Sequence, residues 1–531
     1  MATLRTISLF SLPRGRAAGA VFARVFSFPV FLGVLLVAGV FACARLNPPE
    51  PDTWWHIATG EHILQTGTWP TADFYSFTAR GTDWIAYEWL GEVIMALAAR
   101  LGPQGQTLLL VIWASAIFLL LYYFCFLRSA DYKSAFVACT LVLPLAALFF
   151  TLRPQLMGYA FLLLTLIFLK RFRQGRQRNL WILPVIFLLW VNTHGSFAFG
   201  LMVVGLYWIS GLSSLRVNGF IEDEWSPAQR VHLAQVTLLS VLSLLFTPYG
   251  SRVAAYPFEM ALLQPVNIGN IREWQPLSPD FMIGKLFLVL VLLFFLAQVL
   301  FRMRYRLEEI ALLLFAAYSA SVHRRFFLLF LLVFAPMLAA LLGRWVPRYR
   351  REKDRPVLNF ALVGLLLFGM MKLFPSTQAV ERVVDQSYPQ NAVAYLRSNP
   401  VPGPMLNEYG WGGYLIWSVH PAHKVFIDGR ADVYEYSGVL SDYLSIVRLE
   451  PKTLLLLEKY RIRSCLVRRD DPLGTLLSAL PDWQRVYADE ISIIFVNTRQ
   501  PRPGKTADSA PDLVAHDYSS QQVTARMVSK K

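Results

Sequence analysis

A succession of apolar stretches limits what this chain can fold into more than any other feature of its sequence. They lie near 25–44, 105–127, 134–151, 155–169, 180–192, 196–214, 229–247, 281–301, 309–321, 325–343 and 357–374. About 20 apolar residues carry a helix across a bilayer, and lipid offers backbone polar groups no partner outside a helix or a closed barrel. The pattern therefore predicts an α-helical polytopic membrane protein of about 11 spans. The first run, Val25 to Ala44, ends without a small-residue cleavage pattern and is expected to persist as a helix.

The connecting segments predict an orientation. With the N-terminus inside, 1–24, 128–133, 170–179, 215–228, 302–308 and 344–356 face the cytoplasm. Counting Arg230, they hold about 22 basic residues against about seven in the opposite loops, which is the bias expected of cytoplasmic loops. An odd number of spans then leaves everything from about 375 outside a cytoplasmic (inner) membrane. The stretch Glu88–Arg100 is apolar but short and carries Glu88 and Glu92. Two carboxylates in hydrocarbon are costly, so it is read as an interfacial helix, not a span.

Composition agrees. The chain is 55% hydrophobic and 16% charged, against roughly 25% charged for soluble domains. The net charge of +15 would suit nucleic acid, but the basic residues sit between apolar runs and follow topology, so a nucleic-acid partner is not expected. Cys43, Cys125, Cys139 and Cys465 are scattered and form neither a zinc spacing nor a disulfide framework.

Three regions follow: a multi-span domain over 1–374 with a large outer loop at 46–104, a non-cytoplasmic α/β domain over 375–498, and a Pro/Ser/Lys-rich tail, 499–531, expected to be disordered. In the α/β domain, helices are expected from Pro389 and within 437–460. Strands are expected at KVFIDGRADV (424–433) and IRSCLVRRDD (462–471), with a hairpin over WQRVYADEISIIFVN.

On this topology the polar motifs share one face: DTWWH at 52–56, RPQ at 153–155, NTHG at 192–195, TPYG at 247–250, REW at 272–274, HRR at 323–325 and the α/β domain. Such loops can build one cleft at the membrane surface. Asp52 and His56 lie four apart, a spacing that suits a metal or a proton transfer on one helical face. Asp52 as a helix N-cap and the tryptophans as interface anchors are the plainer alternative. LNEYGWGGYLIW at 406–417, with Glu408, Tyr409 and Trp411, is read either as backbone brought close to another group or as an aromatic strand used for packing. Asp428, Arg430 and Asp432 form either an ion-pair network or a functional cluster. There is no phosphate-binding glycine loop and no serine-hydrolase elbow.

Together these residues resemble the GT-C class of membrane glycosyltransferases, and within it the catalytic subunit of oligosaccharyltransferases. DTWWH is similar to that family's Asp-aromatic-aromatic-His/Asn motif after the first helix, and PTADFYS at 70–76 to its Pro-x-x-Asp-x-aromatic-Ser/Thr stretch. LNEYG at 406–410 is similar to its Trp-Trp-Asp-Tyr-Gly motif, with Glu408 in the acidic place. Leu406 and Asn407 stand where that family has both tryptophans, and its second acidic motif has no clear counterpart; RPQ occupies a comparable loop.

The resemblance implies a GT-C-like fold and transfer of a sugar or glycan from a polyprenyl-phosphate-type lipid carrier to an acceptor outside. Such a site needs a carboxylate to accept a proton, for which Asp52 is the candidate, and cations for the departing phosphate. Arg153, Arg272, Arg324 and Arg325 are candidates for that, with interfacial snorkelling as the alternative for each. His56, Glu88, Glu408, Tyr409, Trp411, Asp428 and Arg430 are candidates for the cleft or the acceptor. No cofactor is required by the motifs; a divalent metal, Mg or Mn, would fall to Asp52 and His56. The expected partners are a polyprenyl-linked sugar donor and membrane lipid, with the acceptor open. The other function classes are a non-enzymatic transporter or scaffold for envelope polysaccharide and a lipid-linked polymer ligase. The near absence of charges within the runs argues against a transporter.

Overall fold

The computed structural model describes residues 14–212 and 224–499; the predicted tail from 500 onward and most of the 215–228 loop lie outside the described residues. Each of the apolar stretches forms a helix, from Phe28–Ala44 through Pro103–Ser129 and Gln155–Arg173 to Pro356–Lys372. Their lengths differ from the expectation. Five helical stretches of at least 18 residues are long and apolar enough to cross a membrane, six if Pro356–Lys372 and the sharply bent Thr377–Asp385 count together. Tyr132–Ala147, Ile182–Val191 and Phe197–Leu212 are apolar but shorter. The protein is a multi-pass membrane protein, and the figure of about 11 is a count of apolar helices.

Burial separates two kinds of apolar helix. Phe327–Leu342 is buried along nearly its whole length and packs against Pro103–Ser129 and Tyr132–Ala147. Met282–Phe301, by contrast, turns Leu288, Leu292, Phe295, Val299 and Leu300 outward. A helix apolar on its exposed side belongs in lipid.

The helices run between two sets of loops. Gln155–Arg173 is about 28 Å long at 1.5 Å per residue; it starts beside Arg153 and ends where Lys170 Nζ meets Glu309 at 2.7 Å. Arg128 joins the same carboxylate at 3.1 Å, and Asp131 accepts from the Tyr349 backbone at 2.9 Å. The basic loops 128–133, 170–179, 302–308 and 344–356 are thus gathered at one end. At the other end His323 Nδ1 lies 2.6 Å from the Trp274 carbonyl, Tyr249 donates to the Pro70 carbonyl at 2.8 Å, and Trp89 donates to Asn192 at 2.7 Å. The motif-bearing loops converge there.

The α/β part carries a four-stranded sheet on that same end. Its strands are β1 (Met405–Asn407), β2 (Ser464–Arg468), β3 (Trp483–Ala488) and β4 (Ser492–Asn497), in the order β1-β2-β4-β3. β1 and β2 are parallel and the other pairs antiparallel. A parallel pair needs a long crossover, supplied here by helices including Gly412–Val419, Val439–Val447 and Thr453–Lys459.

One expected strand is absent. KVFIDGRADV does not join the sheet: Val425 exchanges backbone hydrogen bonds with Tyr75 and Phe77 of the 46–104 loop, at 3.2 and 3.1 Å. Asn407 binds the same segment, accepting from Phe426 N at 2.7 Å and donating to the Ile427 carbonyl at 2.8 Å. The backbone groups a strand would need are thereby taken, and Ala431–Tyr436 is a short helix.

Candidate active site at the outer-loop cleft

The Pro51–Thr66 helix builds the centre of the site. Its N-cap is Glu50, not Asp52, and Pro51 opens the first turn, where a missing N–H costs nothing. Asp52 sits one residue further in, where an acidic side chain suits the helix dipole, with its carboxylate free to face outward from the axis. Thr53 donates to the Leu152 carbonyl at 2.9 Å, which fixes the segment carrying Arg153 against this turn.

Two glycines of the LNEYGWGG and FIDGR segments let the α/β domain approach. A Cβ on Gly413 would collide with the Pro51 carbonyl, and one on Gly429 with the Asp52 carboxylate. Of the two readings of these glycines, close backbone approach is the one observed. The tryptophans are not bilayer anchors either. Trp54 is buried among Tyr388, Tyr414 and Trp417, with ring centroids 5.4, 5.1 and 4.8 Å away.

Arg153 gathers carboxylates. Its Nη2 pairs with Asp52, and its Nη1 lies 2.7 Å from Glu273 and 3.0 Å from Glu50. Trp55 Nε1 donates to the second oxygen of Asp52 at 3.2 Å. Burial pushes the Asp52 carboxyl above the ordinary aspartate range, against the pull of Arg153. Burial likewise raises Glu50 to about 8, whereas Arg153 and Arg325 overcome burial at Glu273 and hold it low.

A second group lies deeper. His56 Nδ1 is 3.1 Å from Glu92 and Nε2 is 3.5 Å from Glu88; His194 Nε2 is 3.3 Å from the other Glu88 oxygen. The Ser196 backbone N–H donates to His194 Nδ1 at 3.0 Å, so Nε2 of neutral His194 carries the proton toward Glu88. Burial raises Glu88 to about 8 and lowers His194 to about 3. Burial thus favours the uncharged forms throughout this group.

A cavity of about 610 Å³ joins these groups. Asp52, His56, Glu88, Arg153, Arg272, Arg325, Tyr409 and Arg430 all line it. A smaller one of about 220 Å³ shares Glu50, Arg153, Arg272, Glu273 and Arg325 with it, adds Arg324, and reaches the apolar residues Leu148, Phe149 and Leu156. Among the described residues Arg272, Arg324 and Arg325 have no carboxylate partner within ion-pair distance. The Arg325 guanidinium is set by stacking 4.2 Å above the Trp274 ring.

Three expected site residues do not reach the cavity. Glu408 turns to Arg468, at 3.4 Å. Trp411 is fully buried and donates to the Ser387 carbonyl at 3.1 Å. Asp428 is buried beneath the surface, accepting from Arg430 at 2.9 and 2.7 Å and from Tyr434 at 2.5 Å. Arg430 also pairs with Asp73 at 2.7 Å, so this cluster is an ion-pair network joining the 46–104 loop to the α/β part. Residues that sequence reasoning did not single out include Glu50, Glu92, His194 and Glu273. His194 and Glu273 lie within the NTHG and REW motifs, which was their only signal.

The donor set does not fit a divalent metal at Asp52 and His56. Both imidazole nitrogens already face carboxylates, and Asp52 faces a guanidinium. Among the described residues no group of three or more His, Cys, Asp or Glu side chains is placed so that it could hold a metal ion.

No protein-family model and no curated protein matches the sequence. Among solved structures, the chain resembles the oligosaccharyltransferase of Archaeoglobus fulgidus, crystallised with a tethered acceptor peptide containing the NVT sequon. The identity is 13%, the match covers 84% of this chain and 70% of that one, and the TM-score is 0.50. ArnT of Cupriavidus metallidurans, solved with undecaprenyl phosphate, matches at 13% identity over 92% of this chain and 100% of that one, with a TM-score of 0.46. The likeness to the archaeal enzyme is one of architecture, and it shows that this chain has a GT-C-like fold.

Proposed function

We propose that the protein is a glycosyltransferase that moves a sugar or glycan from a polyprenyl-phosphate-type carrier to an acceptor on the outer side of the inner membrane. One observation carries this reading. A single cleft holds a partly buried carboxylate, Asp52, beside Arg272 and Arg325, which among the described residues have no carboxylate within ion-pair distance, and an adjoining smaller cavity is walled by apolar Leu148, Phe149 and Leu156. A lipid-borne phosphate needs that combination: cations for the head and apolar walls for the chain. The GT-C fold supports the same class.

In the proposed step an acceptor heteroatom attacks the anomeric carbon and its proton passes to Asp52. The bond from that carbon to the carrier phosphate oxygen breaks, and the oxygen leaves with the electron pair towards Arg153, Arg272, Arg324 and Arg325. Oriented cations in a site shielded from water stabilise such developing charge strongly. Mass spectrometry of envelope glycans and lipid-linked precursors, with and without the protein, tests the reading. Accumulated precursor and a missing glycan support it. Unchanged glycans with mislocalised polymer would favour a transporter or scaffold instead.

Arg325→Ala is expected to raise the donor concentration needed for half-maximal rate by roughly 10- to 100-fold, the scale of a lost charged hydrogen bond. Arg325→Lys should recover only part, because lysine lacks the fork and the stacking on Trp274. Donor titrations of the purified variants check this; an unchanged requirement would release Arg325 from phosphate binding.

The orientation is proposed from the basic loops. A cysteine placed near Asp471 should label with a membrane-impermeant maleimide in intact cells, and one near Arg350 only after permeabilisation. The reverse pattern would put the cleft on the cytoplasmic side.

A further inference from the structure

We propose that the Arg153 guanidinium is a built-in cation, standing among Glu50, Asp52 and Glu273 where a divalent metal would otherwise sit. The assignment concerns which cation these carboxylates hold and does not depend on the glycosyl-transfer reading.

Three observations carry it. First, the carboxylates come from separate parts of the chain, 50–52 and 273, yet all lie within ion-pair distance of one side chain. Converging carboxylates repel unless a cation stands between them, and a planar guanidinium offers donors along its edges to do so. Second, Arg153 is held in place from behind. Its backbone N–H bonds the Thr151 carbonyl at 2.9 Å, Thr53 anchors the neighbouring Leu152 carbonyl, and Pro154 follows and stiffens the turn. The arginine is thus built into the site by the same turn that positions Asp52. Third, the imidazole that would complete a metal site is committed elsewhere, to Glu88 and Glu92.

Three carboxylates already face this one guanidinium at ion-pair distance, so a 2+ ion would have to displace it. Magnesium and manganese also demand oxygens at about 2.0–2.2 Å in near-octahedral array. That geometry cannot be reached while Nη1 and Nη2 occupy the space between the carboxylates. Arg153 lines both cavities, so its outward edge is what an arriving anion meets.

Titration of the purified full-length protein with Mn2+, following free ion by electron paramagnetic resonance, tests the assignment. Wild type is expected to show no stoichiometric site. Arg153→Ala frees the carboxylates and should bind Mn2+ at least ~100-fold more tightly than wild type, since carboxylate count and geometry tune such affinities over decades. Adding Asp52→Asn to that variant should abolish the gain. Stoichiometric Mn2+ binding by wild type that Asp52→Asn removes would overturn the proposal, as would a folded Arg153→Ala protein with no gained site. If Arg153→Ala does not yield a monodisperse protein, Arg153→Gln replaces it in the same titration, with the same outcomes deciding.

Discussion

Asp52→Asn should reduce glycosyl transfer by at least ~100-fold, the range lost with a general base, while thermal unfolding changes little. Asparagine keeps the shape, and its one carbonyl oxygen can still accept from Arg153, so that only the longer bond from Trp55 at 3.2 Å is given up and the turn that carries the side chain is retained. The carboxylate's affinity for a proton is what disappears. Burial raises that affinity above the ordinary aspartate value of ~3.9, against the pull of Arg153. The sign follows: a base with a raised pKa loses activity as pH falls through that value. The acid limb of the wild-type rate profile should therefore lie above the ordinary aspartate range. Glu88 is the rival acceptor, but burial raises it to about 8 and both of its oxygens already face imidazoles, His56 and His194. A Glu88→Gln variant that is inactive beside an Asp52→Asn variant with near-normal transfer would move the chemistry to the deeper group.

Much of the fold could be read from the sequence because lipid enforces a simple rule. Every long apolar run became a helix, and the opposition between basic loops and motif-bearing loops reappears as two ends of one bundle. Span count was harder, because an apolar run reports burial without saying whether lipid or protein covers it. Phe327–Leu342 and Met282–Phe301 look alike in composition, yet one is a core helix and the other faces outward.

The α/β domain shows where local pattern fails. KVFID has strand composition, but Asn407 and the 75–77 segment claim its backbone, and those partners are remote in sequence. The site divides in the same way. Asp52, Arg153, Arg272 and Arg325 were legible because polar residues beside apolar runs are conspicuous. Glu50 and Glu273 were not, since nothing local marks which carboxylates will meet Arg153. Glu408 was placed by resemblance to a motif whose two tryptophans are absent here, and without them the segment turns its carboxylate to Arg468.

Arg430→Ala should destabilise the protein by about 3–5 kcal/mol, the cost of breaking a buried ion pair from one side. Arg430 is 2% exposed and lies between Asp428 and Asp73, at 2.7 Å from each. It also stacks 4.5 Å from the Trp84 ring and 5.1 Å from the Tyr75 ring. Asp73 caps its own turn through Tyr75 N, Ser76 N and Ser76 Oγ at 3.2, 3.1 and 2.6 Å, so neither carboxylate can swing away to water when the arginine goes. Removing the guanidinium leaves two buried anions in one dry space and opens the seam between outer loop and α/β domain. Arg430→Lys should restore only part, because one ammonium cannot serve both carboxylates in the same plane. The cause is separable by removing the charges together. Asp73→Asn/Asp428→Asn/Arg430→Met should unfold at a higher temperature than Arg430→Ala, since a neutral group of similar volume lacks the uncompensated charge. Thermal unfolding in detergent, with limited proteolysis at the exposed 398–403 segment reporting detachment of the domain, measures both. An Arg430→Ala protein with unaltered melting and proteolysis would show that the network contributes no net stability.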